Sequence, residues 1–246
     1  MNSLRLILAA LLLSLFSGPV WAAPVVADLS KYVISIDSGF TGTDVLLYGA
    51  VEEDGDLVVV VRGPPERVSV RRKGRVAGIW VNQDSIEFED APSYYMVASS
   101  RPLNEIAHRN FRELHQIGLD ALQLTPSVAR PEEEVEPFRK ALVRNRMREG
   151  LYSDSIGAMK FLSNRLFSTS VQFPANVPEG AYRAEVFLIR DGKVISAETT
   201  PLFINKTGFL WQINYYAHNK PELYGIVAIL VALFAGWIAA VAFRKA

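Results

Sequence analysis

From Leu223 to Phe243 the chain runs for 21 residues without a charged side chain. As a helix rising about 1.5 Å per residue, that run is roughly 32 Å long, matching a hydrocarbon core of about 30 Å. No other feature limits the fold as strongly, because an all-apolar helix needs lipid or a large protein interior around it. Arg244 and Lys245 follow at once. Positive charge directly beyond the run predicts that this end faces the cytoplasm.

The other end agrees with that direction. Residues 1–22 read MNSLRLILAALLLSLFSGPVWA. Arg5 supplies a positive start, Leu6 to Phe16 an apolar stretch too short to span comfortably, and Gly18-Pro19 a break before Val20-Trp21-Ala22. This layout predicts a secretory signal peptide cleaved after Ala22. The expected organisation is a signal peptide (1–22), a periplasmic β-sandwich domain (23–205), a juxtamembrane aromatic segment (206–222), a transmembrane helix (223–243) and a cytoplasmic tail (244–246). A tail of three residues has no room for a domain, so function is expected on the exported side or within the bilayer.

Composition excludes several classes. Lys+Arg and Asp+Glu both number 26, which gives no electrostatic footprint for nucleic acid. With no cysteine there is no disulfide framework, thiolate metal site or cysteine nucleophile. The mean hydropathy of +0.14 is accounted for by the two apolar ends.

Between them, alternation predicts strands. Tyr32, Ile34 and Ile36 read as one, and Tyr94 to Ala98 as another. Val45–Val51 and Leu57–Val61 flank Asp54-Gly55, a hairpin signal. Val68 and Val70 with Val76–Val81 flank Lys73-Gly74 and suggest a second hairpin, and Gly63-Pro64-Pro65 reads as a turn. Leu103, Ile106, Ala107, Phe111, Leu114 and Ile117 fall on one face of a predicted helix after Pro102. A second helix follows Pro131, opening on Glu132-Glu133-Glu134 and closing on Arg144, Arg146, Arg148 and Gly150, an order that suits the helix dipole. Pro137 is expected to delay or kink its start. Strands resume at Phe167–Phe173 and Tyr182–Leu188, and Asp191-Gly192 turns the latter into Lys193–Glu198 before Leu202–Ile204. About nine short strands predict a mainly β fold. The form expected is an Ig-like β-sandwich with an inserted helical hairpin (about 102–150) between its halves, plus one C-terminal transmembrane helix.

No catalytic, metal or cofactor constellation is legible, so a non-enzymatic protein is expected. His108 and His115 lie seven apart, too far for a paired zinc motif, and His218 sits beside the membrane segment. Four methionines form no cluster. Ser153-Asp154-Ser155 lacks a nucleophile elbow and reads as a turn or helix cap. The one basic run, Arg71-Arg72-Lys73-Gly74-Arg75, is a candidate anion or partner patch at a solvated hairpin tip. Within the apolar run, Ala228, Ala232, Gly236 and Ala240 recur every fourth residue, the spacing that lets membrane helices approach closely. Phe209, Trp211, Tyr215, Tyr216 and Tyr224 form an aromatic belt of interfacial anchors.

Several segments occur together and in order: Val58-Val59-Val60-Val61-Arg62-Gly63-Pro64, Gly78-Ile79-Trp80-Val81-Asn82 and Pro92-Ser93-Tyr94-Tyr95. Val177-Pro178-Glu179-Gly180-Ala181-Tyr182-Arg183, Arg190-Asp191-Gly192, Lys206-Thr207-Gly208 and Leu223-Tyr224-Gly225 follow. Over nearly its whole length the chain resembles the alphaproteobacterial transmembrane family Alph_Pro_TM. The resemblance implies a Gram-negative inner-membrane protein with a periplasmic body and no assigned activity. The partners expected are the lipid bilayer and another integral membrane protein, with the chain acting as an accessory subunit of a membrane complex or transporter. The alternative is a periplasmic binding module for a small anion or envelope polymer, using Arg71, Arg72, Lys73 and Trp80.

Overall fold

The computed structural model describes residues 24–76, 78–156, 159–163, 165–207, 218 and 220–243. The signal segment, Trp211, Tyr215, Tyr216 and the tail at 244–246 lie outside them. Thirteen strands are present among the described residues, more than the nine expected, and the fold is mainly β.

Two sheets make the core. One has the order β1 (Val25–Leu29), β3 (Gly42–Val51), β11 (Leu166–Pro174), β10 (Lys160–Leu162). The other has the order β2 (Val33–Ile36), β13 (Lys193–Lys206), β12 (Gly180–Arg190), β4 (Asp56–Arg62), β7 (Tyr95–Ser99), β9 (Tyr152–Ile156). Thr200 on β13 donates to the Ala27 carbonyl on β1 at 3.3 Å, and Phe173 on β11 meets Tyr182 on β12 edge-on at 5.7 Å, so the sheets lie face to face. Tyr94, between β6 and β7, completes this aromatic trio, 5.0 Å from Phe173 and 5.9 Å from Tyr182.

Burial along β4 and β7 is continuous rather than alternating: Leu57 through Val61 and Tyr95 through Ser99 are all buried. A strand reads that way when both its faces are covered. The four-stranded sheet covers one face and the helical region the other. That region is no simple insertion between halves. β7 and β9 are parallel neighbours, and parallel strands require a long crossover, which residues 100–151 supply. The expected helical hairpin is also corrected. The first helix is split into α1 (Leu103–Ile106) and α2 (Arg109–His115), because Ala107 is extended and His108 caps a new start. Leu114 consequently points outward, 74% exposed, while Leu103, Ile106, Ala107 and Ile117 are buried. The second helix, α3 (Glu132–Arg148), has the expected charged ends; it begins at Glu132, so Pro137 does not delay it.

Two expected hairpins are corrected as well. Asp54-Gly55 does not join paired strands: β3 belongs to one sheet and β4 to the other, so the turn is a crossing between layers. Lys73-Gly74 lies inside β5 (Pro65–Val76), and the chain turns at Gly78 to return as β6 (Ile79–Pro92). That hairpin is the core of a third sheet, β5-β6-β8, whose last strand β8 (Thr125–Pro126) comes from the crossover. Register shifts at Glu66/Val68 and Arg72/Lys73 bend the arm. Asp191-Gly192 does turn β12 into β13, with φ of 52° and 72°. Ser153 and its neighbours form β9 rather than a cap.

The last helix, α4, runs from Pro221 to Phe243. Ile226, Leu230, Val231, Leu233, Phe234 and Trp237 on it are each more than half exposed. Among the residues described with their side chains, no helix is long and apolar enough to cross a membrane.

Candidate functional site

Antiparallel pairing carries the basic run out along the β5–β6 arm. Successive side chains of a strand face opposite ways, so the run does not converge on one point. Arg71 sits opposite Ser85 and lines a shallow groove with Asn82, Gln83 and Arg130. Arg72 turns back to the body, 3.6 Å from Asp84 and with its guanidinium 5.5 Å from the Phe138 ring of α3. Arg75 donates through Nε to the Gly78 carbonyl at 3.2 Å, opposite Trp80. Lys73 is exposed opposite Asn82. Beside these cations the tip exposes Val76, Ile79, Trp80 and Val81, with Ile79 68% and Trp80 66% open to solvent.

The most fully built polar cluster lies elsewhere and was not read from the sequence. Arg62 ends the Val58–Val61 run and is largely buried between the six-stranded sheet and the end of α2. Its guanidinium pairs with Glu185 on β12 and donates to the His115 and Gln116 carbonyls at 2.6 and 3.1 Å. Tyr95 donates to the same Gln116 carbonyl at 2.6 Å, accepts from the Gly118 amide at 2.8 Å, and lies 5.9 Å beneath the guanidinium. Gln116, at φ 50°, closes α2 so that these carbonyls aim at the sheet. Burial pulls the Arg62 guanidinium below its ordinary value, though from so high a start it remains charged. A cleft of about 500 Å³ opens beside this cluster, lined by Arg62, Arg183, Glu185, His115 and Phe187. Both terminal nitrogens of Arg62 and the Tyr95 hydroxyl are engaged with partners on the sheet and the crossover, which makes the cluster a clamp holding the crossover to the sheet.

That role sets a prediction. Arg62→Met leaves the Glu185 carboxylate half-buried without its cation and the His115 carbonyl without its donor, while Gln116 keeps Tyr95, and should cost about 3 kcal/mol. Adding Glu185→Gln should return part of the loss. Urea titration of the two variants in detergent checks this, and a cost under about 1 kcal/mol would show that the clamp is dispensable.

His108 and His115 stand at the two ends of α2. His108 occupies the N-cap position of α2 without a side-chain hydrogen bond to it, and the His115 ring lies 4.6 Å from Phe111 and 5.7 Å from Phe187. Among the described residues no cluster of His, Asp or Glu could hold a metal ion. A larger groove of about 1140 Å³ runs between α2 and α3. Both signs of charge are interspersed along it, with pairs Arg109–Glu113 at 2.6 Å, Arg112–Asp120 at 2.7 Å and Arg139–Glu136 at 2.7 Å, so it projects no single sign of charge.

Ala228, Ala232, Gly236 and Ala240 are exposed along α4, and a Cβ built on Gly236 meets nothing within 4 Å. Tyr224 is the one residue of the interfacial anchor set Trp211, Tyr215, Tyr216 and Tyr224 among the described residues, in the first turn of α4 and 44% exposed.

No match to a curated protein is found. Residues 24–245 match the family described as "Putative transmembrane protein (Alph_Pro_TM)". That match takes in the sheets, the crossover, the arm and α4 together, and the chain belongs to the Alph_Pro_TM family.

Proposed function

We propose that the chain is a single-pass inner-membrane protein, anchored by α4 with its C-terminus in the cytoplasm. Its β-rich body, an Ig-like sandwich in this reading, is periplasmic after removal of residues 1–22. The protein serves as a non-enzymatic accessory subunit of a membrane complex or transporter. The observation that carries the reading is α4 itself: apolar side chains are exposed from Tyr224 to Ile238, and small residues recur every fourth position on it. A helix apolar all round is stable only where lipid or other helices surround it, and a small-residue stripe is how such helices pack closely.

Substituting Gly236→Leu fills that stripe without adding polarity. The variant should stay in the membrane fraction through alkaline carbonate extraction. An integral membrane protein that copurifies with the wild-type chain from native membranes in mild detergent should drop by about tenfold, the equivalent of a coupling near 1.4 kcal/mol. Unchanged copurification, or a wild-type chain that comes down alone, would overturn the accessory-subunit reading.

A further inference from the structure

The end of the β5–β6 arm has two properties that a solvated hairpin does not need. Val76, Ile79, Trp80 and Val81 form an exposed apolar cap, in which Ile79 pairs across the turn with Val76 and Trp80 with Arg75. Beneath the cap stand Arg71, Arg72, Lys73 and Arg75, and between Val70 and Asp84 the sequence holds no carboxylate. Of these four, Arg72 meets Asp84 at 3.6 Å, as most basic residues elsewhere in the body meet an acidic neighbour: Arg101–Asp56, Arg109–Glu113 and Arg146–Glu66 are examples. The arm tip is thus a local cationic segment on a body with slightly more acid than base. Tryptophan with aliphatic neighbours over a ring of lysine and arginine is the composition that settles at a bilayer surface: the ring system enters the headgroup region and the cations remain among the phosphates.

We propose that this tip is a lipid-binding site, with Ile79 and Trp80 inserted into the headgroup layer of an anionic bilayer and Lys73, Arg75 and Arg71 paired with lipid phosphates. Charge complementarity favours this occupant: a neutral or cationic protein face would leave the cations unmatched, and an acidic one would leave the aliphatic cap uncovered. Membership in a transmembrane family supplies a bilayer for the protein to meet. The inference rests on the anchoring reading only for proximity to it. An arm seated on the bilayer would add a second support to α4 and fix the tilt and rotation of the body over the membrane.

The test uses the full chain in vesicles of phosphatidylcholine, with or without one third phosphatidylglycerol, some carrying lipids brominated high on the acyl chain. Two single-tryptophan forms are compared, each with Trp21→Phe and Trp211→Phe. One keeps Trp80 by adding Trp237→Phe, and the other keeps Trp237 by adding Trp80→Phe. Trp80 should be quenched and blue-shifted in the anionic vesicles, and Lys73→Glu with Arg75→Glu should weaken that contact by about tenfold or more. Trp80 emission that stays water-like and unquenched overturns the proposal. So does emission that is shielded yet unquenched, which would mean a protein contact, and so does equal quenching in neutral vesicles, which would remove the role of charge. Trp237 reports the anchor separately: its failure to quench would count against the α4 reading, while Trp80 alone decides the arm.

Discussion

Raising the pH from 10 to 12 should unfold the β body in one sharp step. Tyr94, Tyr152 and Tyr182 are buried, and each phenol donates to a main-chain carbonyl: Tyr94 to Gln172 at 2.8 Å, Tyr152 to Pro92 at 2.7 Å, Tyr182 to Pro178 at 2.6 Å. A phenolate there would lose its donor, face a carbonyl oxygen and forfeit its hydration. Burial accordingly pushes Tyr182 up to about 12 and Tyr94 and Tyr152 higher still. An unfolded tyrosine titrates near 10, so below that pH both states are protonated and stability is flat. Above it the unfolded chain releases protons that the folded chain keeps, and stability falls by about 1.4 kcal/mol per pH unit for each tyrosine. Tyr94 and Tyr152 alone remove about 5 kcal/mol by pH 12, comparable with the whole stability of many domains. Tyrosinate absorbance and far-ultraviolet circular dichroism should therefore change together. Tyr94→Phe with Tyr152→Phe should move the transition to higher pH. A gradual ionisation with the sheets intact would refute the assignment.

Gly49→Ala should be nearly as damaging. Gly49 lies in β3 between Ala27 on β1 and Phe167 on β11. A Cβ there would stand 2.3 Å from the Val26 carbonyl oxygen and 2.6 Å from the Phe167 ring. The ring can shift but the carbonyl belongs to the β1 backbone, so the new methyl must push β1 out of its pairing. Overpacking of this kind costs about 3 kcal/mol, or roughly 10 °C in melting temperature for a body of this size. Phe167→Leu in the same chain should not rescue it, because that change frees only the ring. Rescue would mean that the aromatic contact, rather than the strand backbone, forbids a side chain at Gly49.

How much of this was readable in advance follows from how local each feature is. The Asp191-Gly192 turn was legible because both residues adopt positive φ within a two-residue link. Asp54-Gly55 has the same chemistry yet joins two layers, since a turn dipeptide says nothing of which strand its neighbours will pair with. The arm was legible as a hairpin, but its turn was displaced: Lys73-Gly74 looks like a tip, while the strands stay paired out to Val76 and Ile79. α1 and α2 were merged because their apolar spacing is continuous through Ala107, where only the extended backbone marks the break. The apolar α4 and its small-residue spacing could be read directly. Arg62 could not, because its partners stand 53, 54 and 123 residues away. A single arginine closing a run of four valines, with Glu185 the one acidic residue of β12, was the one hint of a matched pair.

The pairing order also governs how the protein can be made. β2 closes on β13, β3 on β11 and β4 on β12, so each main sheet joins strands from the first quarter of the chain to strands from the last third. No amino-terminal fragment that stops short of β13 contains the complete six-stranded sheet, and β2 and β4 must wait with open edges until the chain out to Lys206 has been delivered. Folding is therefore slow to begin and all-or-none once it does. With α4 following so soon after β13, a chain that enters the membrane as proposed completes its body while already tethered there, and a stalled or truncated product would present bare strand edges for quality-control proteases to seize.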